Sequence, residues 1–294
     1  MPWLQFKIQT DQQHVETISD WLMEQGCLSV TYQDAANQPL FEPPPGETPI
    51  WANTLITGLF DAQIAIEDIR LKFTEQFDDV STTTRSEILE DKDWVREWMI
   101  HYQPMQFGQS LWIVPSHHRA PDPAATNILL DPGLAFGTGT HPTTAMCLSW
   151  LAKHPPISQF VIDYGCGSGI LAIAAAKLGA ERVQAIDNDP QALLATNDNA
   201  DKNGVIEQIQ CGGIDMPMPE QADTLIANIL AGPLIELCEH FSKILTTDGN
   251  IVLSGILQEQ ANQVIQAYQK WFSIEMTTQQ EDWILLSGKR NNEI

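Results

Sequence analysis

Cysteine is scarce and unpaired in this chain: Cys27, Cys147, Cys166, Cys211 and Cys238 are scattered, odd in number and without a C-x-x-C pair. That spacing supports neither a disulfide framework nor a zinc cluster, and reduced thiols are the expectation. Positive charge is also in short supply. Fifteen Lys and Arg stand against 38 Asp and Glu, a net charge of −23, with no basic run able to line a groove for a phosphate backbone. Long apolar stretches are missing too. The most apolar segment, "TLIANILAGPLIELC", is broken by Asn228, Pro233 and Glu236 and falls short of the roughly 20 residues that span a bilayer. The first residues, "MPWLQFKIQT", lack the basic start, apolar core and cleavage site of a secretory signal. A soluble cytoplasmic protein is expected. Its acidic surface serves solubility, or meets a basic protein partner.

What is present is enough for two domains. A chain of 294 residues with 43% hydrophobic composition can bury substantial cores. Residues 3–10 alternate as a strand, and 12–26 place Val15, Ile18, Trp21 and Leu22 on one helical face before Gly26. Strands near "CLSVTY", "NTLITGLFD" and "TTTRSEIL", with a helix over "AIEDIRLKFTEQF", complete a β-α-β-β-α-β order. That is the ferredoxin-like split motif. Residues 1–102 hold 18 acidic and 6 basic side chains, a charge of −12, but no clustered catalytic groups. Binding a basic partner is the more plausible task for this unit.

Residues 90–104, "EDKDWVREWMIHYQP", put Trp94, Trp98 and Ile100 or His101 at helical spacing before Pro104. A linker helix packed through its tryptophans is expected, with ligand stacking as the alternative. From residue 111 strands and helices alternate, which implies a doubly wound, mostly parallel sheet with ligands at the carboxyl ends of its strands.

Two glycine-rich stretches follow closely, "DPGLAFGTGTHPTT" at 131–144 and "DYGCGSG" at 163–169. The second follows a buried strand and opens an alanine-rich helix, so Gly165 and Gly167 bring backbone against a ligand. Its G-x-G-x-G spacing departs from the dinucleotide pattern, since Ile170 stands where the third glycine belongs, and neither stretch contains G-K-[ST]. Asp163 disfavours a phosphate and suits a cationic or hydroxyl-rich ligand. Asp187, 22 residues beyond Gly165, closes the next strand and can accept hydrogen bonds from two ribose hydroxyls. A positively charged nucleoside without phosphates fits best, and S-adenosylmethionine is that ligand. Another Rossmann nucleotide binder, such as a dehydrogenase, is the alternative. Cys166 needs only to be small in this turn.

The strings "LDPGLAFGTGTHPTT", "VIDYGCGSGILAIAAAKLGA", "IDNDPQAL", "IANILAGPL" and "EDKDWVREW" resemble the class I methyltransferases. More narrowly, they are similar to the family that methylates the large-subunit ribosomal protein L-eleven. The resemblance spans most of the chain, with the glycine-threonine string and "NILAGP" its most specific parts. It implies an α/β fold: a Rossmann-like seven-stranded methyltransferase domain preceded by a small α+β ferredoxin-like substrate-recognition domain. The expected boundaries are 1–88 for substrate binding, 89–104 for the linker helix and 105–294 for catalysis. The implied reaction places several methyl groups on lysine side chains and the terminal α-amine of that ribosomal protein. The partner is expected free of the ribosome, with no membrane and no direct nucleic-acid contact, and the enzyme is expected to be a monomer.

Within that frame Asn228 is expected to orient the attacking amine and to touch the methionine end of the cofactor, unless it only caps the following helix. Thr144 matches a cofactor-contacting position, with Thr138 beside it. His141 is a candidate proton relay or a structural histidine. Phe136 and Trp283 are candidate aromatic walls for a methylated ammonium, although a tryptophan in a terminal strand is also a common core residue. A same-fold enzyme acting on RNA or a small-molecule amine, and a non-catalytic relic of the cofactor fold, are the competing readings.

Overall fold

The structure, a computed structural model, describes residues 3–36, 38, 50–78, 80, 82–89, 102–131, 137, 139–217 and 221–292. It divides into two compact units, Met1–Glu97 and Trp98–Ile294. The helix expected at 89–104 lies outside the described residues from 90 to 101.

In the first unit β1 (Trp3–Asp11), α1 (Val15–Glu24), β2 (Ser29–Asp34), β3 (Asn53–Asp61), α2 (Ile66–Gln76) and β4 (Thr83–Leu89) follow in order. The sheet order is β2-β3-β1-β4 with every pairing antiparallel, the ferredoxin-like arrangement expected from the pattern. Alternation along β1 buries Leu4, Phe6 and Ile8 on one face. Phe6 and Ile8 pack with Val15, Ile18 and Leu22 of α1 and Ile69 and Phe73 of α2. Trp21, expected on the same face as Val15 and Leu22, is only half-buried and meets Phe73 edge-on at 5.5 Å. α1 exposes Glu16, Asp20 and Glu24 at helical spacing and carries no Lys or Arg, so every charge on its outer side is acidic.

The second unit begins with a three-stranded sheet of β5 (Met105–Phe107), β6 (Leu111–Val114) and β7 (Thr126–Leu129). There follow α3 (Pro142–Lys153), β8 (Phe160–Tyr164), α4 (Ile170–Lys177), β9 (Arg182–Ile186), α5 (Pro190–Lys202) and β10 (Ile209–Gly212). Then come β11 (Ala222–Asn228), α6 (Ala231–Ile244), β12 (Leu245–Leu257), α7 (Ala261–Tyr268), β13 (Phe272–Gln280) and β14 (Trp283–Arg290). The seven-stranded sheet has the order β10-β9-β8-β11-β12-β14-β13, parallel from β10 to β12, with β14 antiparallel to both of its neighbours.

Each face of this sheet carries its own core. Val161, Val183, Ile226, Val252 and Leu285 pack with α3 and α4, whereas Ile162, Leu225, Leu253 and Leu286 pack with α6 and α7. Consecutive residues such as Val161 and Ile162 thus point to opposite sides, as a pleated strand buried on both faces requires. The alanines of α4 are buried throughout, which lets that helix lie close to the sheet. Asn203, just past α5, accepts from the Leu129 N–H and donates to the Leu129 carbonyl, both at 2.8 Å. One side chain thereby completes the edge of β7 and ties the small sheet to α5.

Candidate cofactor and active site

The described candidate residues of the second unit lie at the carboxyl edge of its parallel strands, where open α/β sheets bind ligands. β8 ends at Tyr164 and turns through Gly165, Gly167 and Gly169 at φ +83°, +55° and +78°. Three left-handed glycines in seven residues make a turn that other residues could adopt only under strain. The turn is tied on both sides. Gly165 and Cys166 donate to the Ile186 carbonyl at 2.7 and 3.0 Å, and the Thr196 hydroxyl donates to the Gly167 carbonyl at 3.1 Å. Asn199 reaches the Ser168 carbonyl at 2.9 Å. Thr196 and Asn199 were not among the expected site residues. Their signal was available in the helical spacing of polar side chains after Pro190.

Asp187, just past β9, braces the same turn. Its Oδ2 accepts from the Gly167 N–H at 2.9 Å and its Oδ1 from the Asp189 N–H at 3.0 Å. Each carboxylate oxygen keeps further lone-pair capacity, so the brace is compatible with two hydroxyl donors from a ribose.

Asp163 sits deeper than a loop acid would. It is fully buried in β8, its Oδ2 accepts from the Ala172 N–H at 2.9 Å, and its Oδ1 has no partner among the described residues. Burial above all, with the nearby Asp187 charge, raises its pKa to about 7 against the opposing effect of the Ala172 bond. The thiols of Cys147 and Cys166 are pushed up by burial and by the same carboxyl, and Cys211 is raised to about 11. Cys166 therefore stays a thiol at neutral pH, a small buried residue in a tight turn rather than a nucleophile.

A carboxyl whose folded pKa exceeds its unfolded value supports stability at low pH and loses that contribution as pH rises through the folded pKa. Ligand-free protein should therefore lose melting temperature relative to Asp163→Asn as pH rises from about 5 to about 8, because only the parent must ionise a buried acid. Parallel melting curves across that range would exclude the effect.

The two glycine stretches meet. The Ser168 hydroxyl donates to the Gly137 carbonyl at 2.5 Å, and a Cβ at Gly139 would stand 3.4 Å from Ile170 at the start of α4. The first stretch thus lies on the second turn through its tail, while residues 132–136 and 138, including Phe136 and Thr138, lie outside the described residues.

From that tail α3 begins. His141 is its N-cap, with Pro142 at the first helical position; Nδ1 lies 2.8 Å from the Thr143 hydroxyl and 3.4 Å from the Thr143 N–H. Burial lowers the His141 pKa, with Glu281 opposing the shift, so the ring is neutral at pH 7. Trp283, at the start of β14, meets the His141 ring edge-on at 5.0 Å. Thr144 is wholly buried in the first turn of α3. Its hydroxyl accepts from Asn228 Nδ2 at 3.2 Å, joining the helix start to the end of β11 across 84 residues. Asn228 does not cap α6: that helix has Leu230 at its N-cap and no side-chain cap bond.

The structure therefore gathers Gly165, Gly167 and Asp187 around one turn, with Thr144 and Asn228 beside it, and brings Trp283 of β14 against His141 at the start of α3. Among the described residues no cluster of His, Cys, Asp and Glu could hold a metal ion. No described helix is long and apolar enough to cross a membrane.

Comparison with known proteins identifies a family. The family described as "Ribosomal protein L11 methyltransferase (PrmA)" matches residues 2–291. The ribosomal protein L11 methyltransferase of Tolumonas auensis is 50% identical over 289 residues, 98% of this chain and 99% of that protein. The protein of the same name from Marinobacter nauticus is 49% identical over 301 residues, 99% of this chain and 100% of that protein. A crystal structure of a ribosomal protein L11 methylase from Lactobacillus delbrueckii subsp. bulgaricus superimposes with a TM-score of 0.59 at 33% identity. It covers 65% of this chain and 100% of that one. On a match that runs through both units, the chain belongs to the ribosomal protein L11 methyltransferase family.

Proposed function

We propose that this protein transfers methyl groups from S-adenosylmethionine to amines of ribosomal protein L11, at lysine side chains and at the terminal α-amine. The observation that carries the reading is the Asn228–Thr144 hydrogen bond beside a glycine turn braced by Asp187.

The residues present fit S-adenosylmethionine. Asp163 offers a buried carboxyl oxygen without a partner among the described residues, suited to a cationic group. Gly165 and Gly167 are half-buried and keep backbone open to close approach, and Asp187 retains lone pairs for ribose hydroxyls. Gly165, Gly167, Asp187, Thr144 and Asn228 would hold it. When bound, the cofactor supplies a methyl group already activated on a sulfonium sulfur.

The protein's own work is to deliver an amine lone pair in line with that methyl. A lysine with a pKa of about 10.4 is neutral in only roughly four molecules in ten thousand at pH 7, so desolvation of the ammonium raises the reactive fraction. The Asn228 amide oxygen accepts from the amine N–H and fixes its direction, while Thr144 holds the amide from the other side. His141, neutral by burial, relays the amine proton at Nε2 in the tautomer with its hydrogen on Nδ1, which gives up the 3.4 Å bond accepted from the Thr143 N–H and keeps the 2.8 Å contact with the Thr143 hydroxyl. Phe136 and Trp283 are assigned as aromatic walls for the growing methylated ammonium. Residues 1–88 recognise the ribosomal protein, 89–104 join the domains, and 105–294 catalyse. The acidic outer side of α1 suits a basic protein, and the reaction belongs to the cytoplasm.

Incubation with radiolabelled S-adenosylmethionine and purified L11 should label the protein, and a mass spectrum should show increments of several methyl groups. Label entering RNA in a cell extract while L11 stays unlabelled would overturn the reading.

A further inference from the structure

Ile229, the residue after Asn228, occupies space that two glycines leave for it. A Cβ at Gly165 would lie 2.2 Å from Ile229 Cγ2, and a Cβ at Gly255 would lie 2.3 Å from the Ile229 carbonyl oxygen. The side chain is thus pressed against the cofactor turn and the backbone against β12. Gly255, at φ +82°, sits at a break in register: Leu253 pairs with Leu286 and Ile256 with Ile284, so Ser254 and Gly255 face the single residue Leu285. That is a β-bulge, a device that bends one strand and re-aims its surroundings. The bulge is anchored, since the buried Ser254 hydroxyl donates to the Ile284 carbonyl at 3.2 Å. Ser254 is also the residue that pairs with Asn228.

We infer that Ile229 is a positioning residue for methyl transfer: wedged between Gly165 and the Gly255 bulge, it sets the direction in which Asn228 presents its amide. The inference rests on the reading of Asn228 as the group that orients the amine. Two glycines far apart in sequence, one in the cofactor turn and one in β12, converge on this half-buried residue. The β12 bulge therefore holds its shape for the sake of the peptide that follows Asn228. Movement of that peptide moves the amide, without touching the braces from Asp187, Thr196 and Asn199 that hold the cofactor turn.

The test compares Ile229→Ala, Ile229→Val, Asn228→Ala and the Ile229→Ala/Asn228→Ala double variant in the full chain. Ile229→Ala adds no atom, so it empties the seat without overpacking, whereas valine keeps the branch that fills the space at Gly165. Single-turnover transfer to L11, cofactor affinity by calorimetry and melting temperature are read for each. Ile229→Ala should slow transfer by about 10²-fold, the scale of a misplacement of about 1 Å, with cofactor affinity changed less than about threefold. Ile229→Val should stay within about threefold of the parent, and in the Asn228→Ala background Ile229→Ala should add less than about threefold, as for residues acting through one group. A full loss repeated in that background, or valine as slow as alanine, overturns the wedge. A parental rate for Asn228→Ala alone overturns the reading of Asn228 and the inference built on it.

Discussion

Removing residues 1–88 should leave a protein that binds S-adenosylmethionine as the full chain does, yet methylates ribosomal protein L11 at least about 10³-fold less efficiently in kcat/KM. The truncated chain is expected to fold because, among the described residues, each unit buries its own core. The buried cluster of the first unit contains only residues from Phe6 to Phe77, and the two clusters of the second run from Tyr102 to Leu286. What is lost is contact energy far from the reacting nitrogen. Enzymes use such remote binding to hold the reacting group in place, so a large protein substrate is affected in rate as well as in binding. The acidic outer side of α1, with Glu16, Asp20 and Glu24 and no compensating cation, also steers a basic partner and is screened by salt. Calorimetry with cofactor and initial rates with L11 give the two numbers. Near-normal methylation by the truncated chain would show that recognition lies elsewhere.

Asp187→Ala should weaken cofactor binding by about 10³-fold. The change removes the acceptor for two ribose hydroxyls and strands the Gly167 N–H that Oδ2 now receives. Hydrogen bonds to a charged group contribute about 1.5–3 kcal/mol each, and a combined loss of about 4 kcal/mol corresponds to about 10³-fold in dissociation constant. The carboxylate would bind the hydroxyls and not the reacting sulfonium, so the rate at saturating cofactor should fall far less than the affinity. An unchanged dissociation constant would refute the ribose assignment and leave Asp187 as a brace for the turn alone.

Much of this architecture is legible in the residues, for identifiable reasons. β1 reads as a strand because Leu4, Phe6 and Ile8 alternate, and β8 because "FVIDY" is an apolar run ended by glycines. β13 left no such mark. It buries little beyond Phe272 and is polar along "TTQQ", so nothing in the pattern separates it from α7, which stops at Tyr268. Edge strands with one solvated side carry little hydrophobic signal, and three-residue β5 carries none. In the site, the glycine turn and Asp187 are local in sequence and were readable from spacing. The Thr144–Asn228 bond and the seat of Ile229 join segments far apart along the chain, and no local pattern encodes them. Two weaker signals were there to be used: Pro142 after His141 marks a helix start, and Gly255 inside an apolar strand marks a bulge. The depth of Asp163 could not be read at all, because burial is a property of the packed sheet.

The strand order β12-β14-β13 has a consequence for how the protein is made. β13 emerges from synthesis before the strand that must lie between it and β12, so for a time two open edges exist side by side. Such edges invite pairing with each other or with another chain, and only the arrival of β14 resolves them. β14 also carries Trp283 to the His141 ring. Maturation of the sheet and formation of that ring contact are therefore one event, and a nascent chain caught before it is aggregation-prone and lacks the proposed aromatic wall.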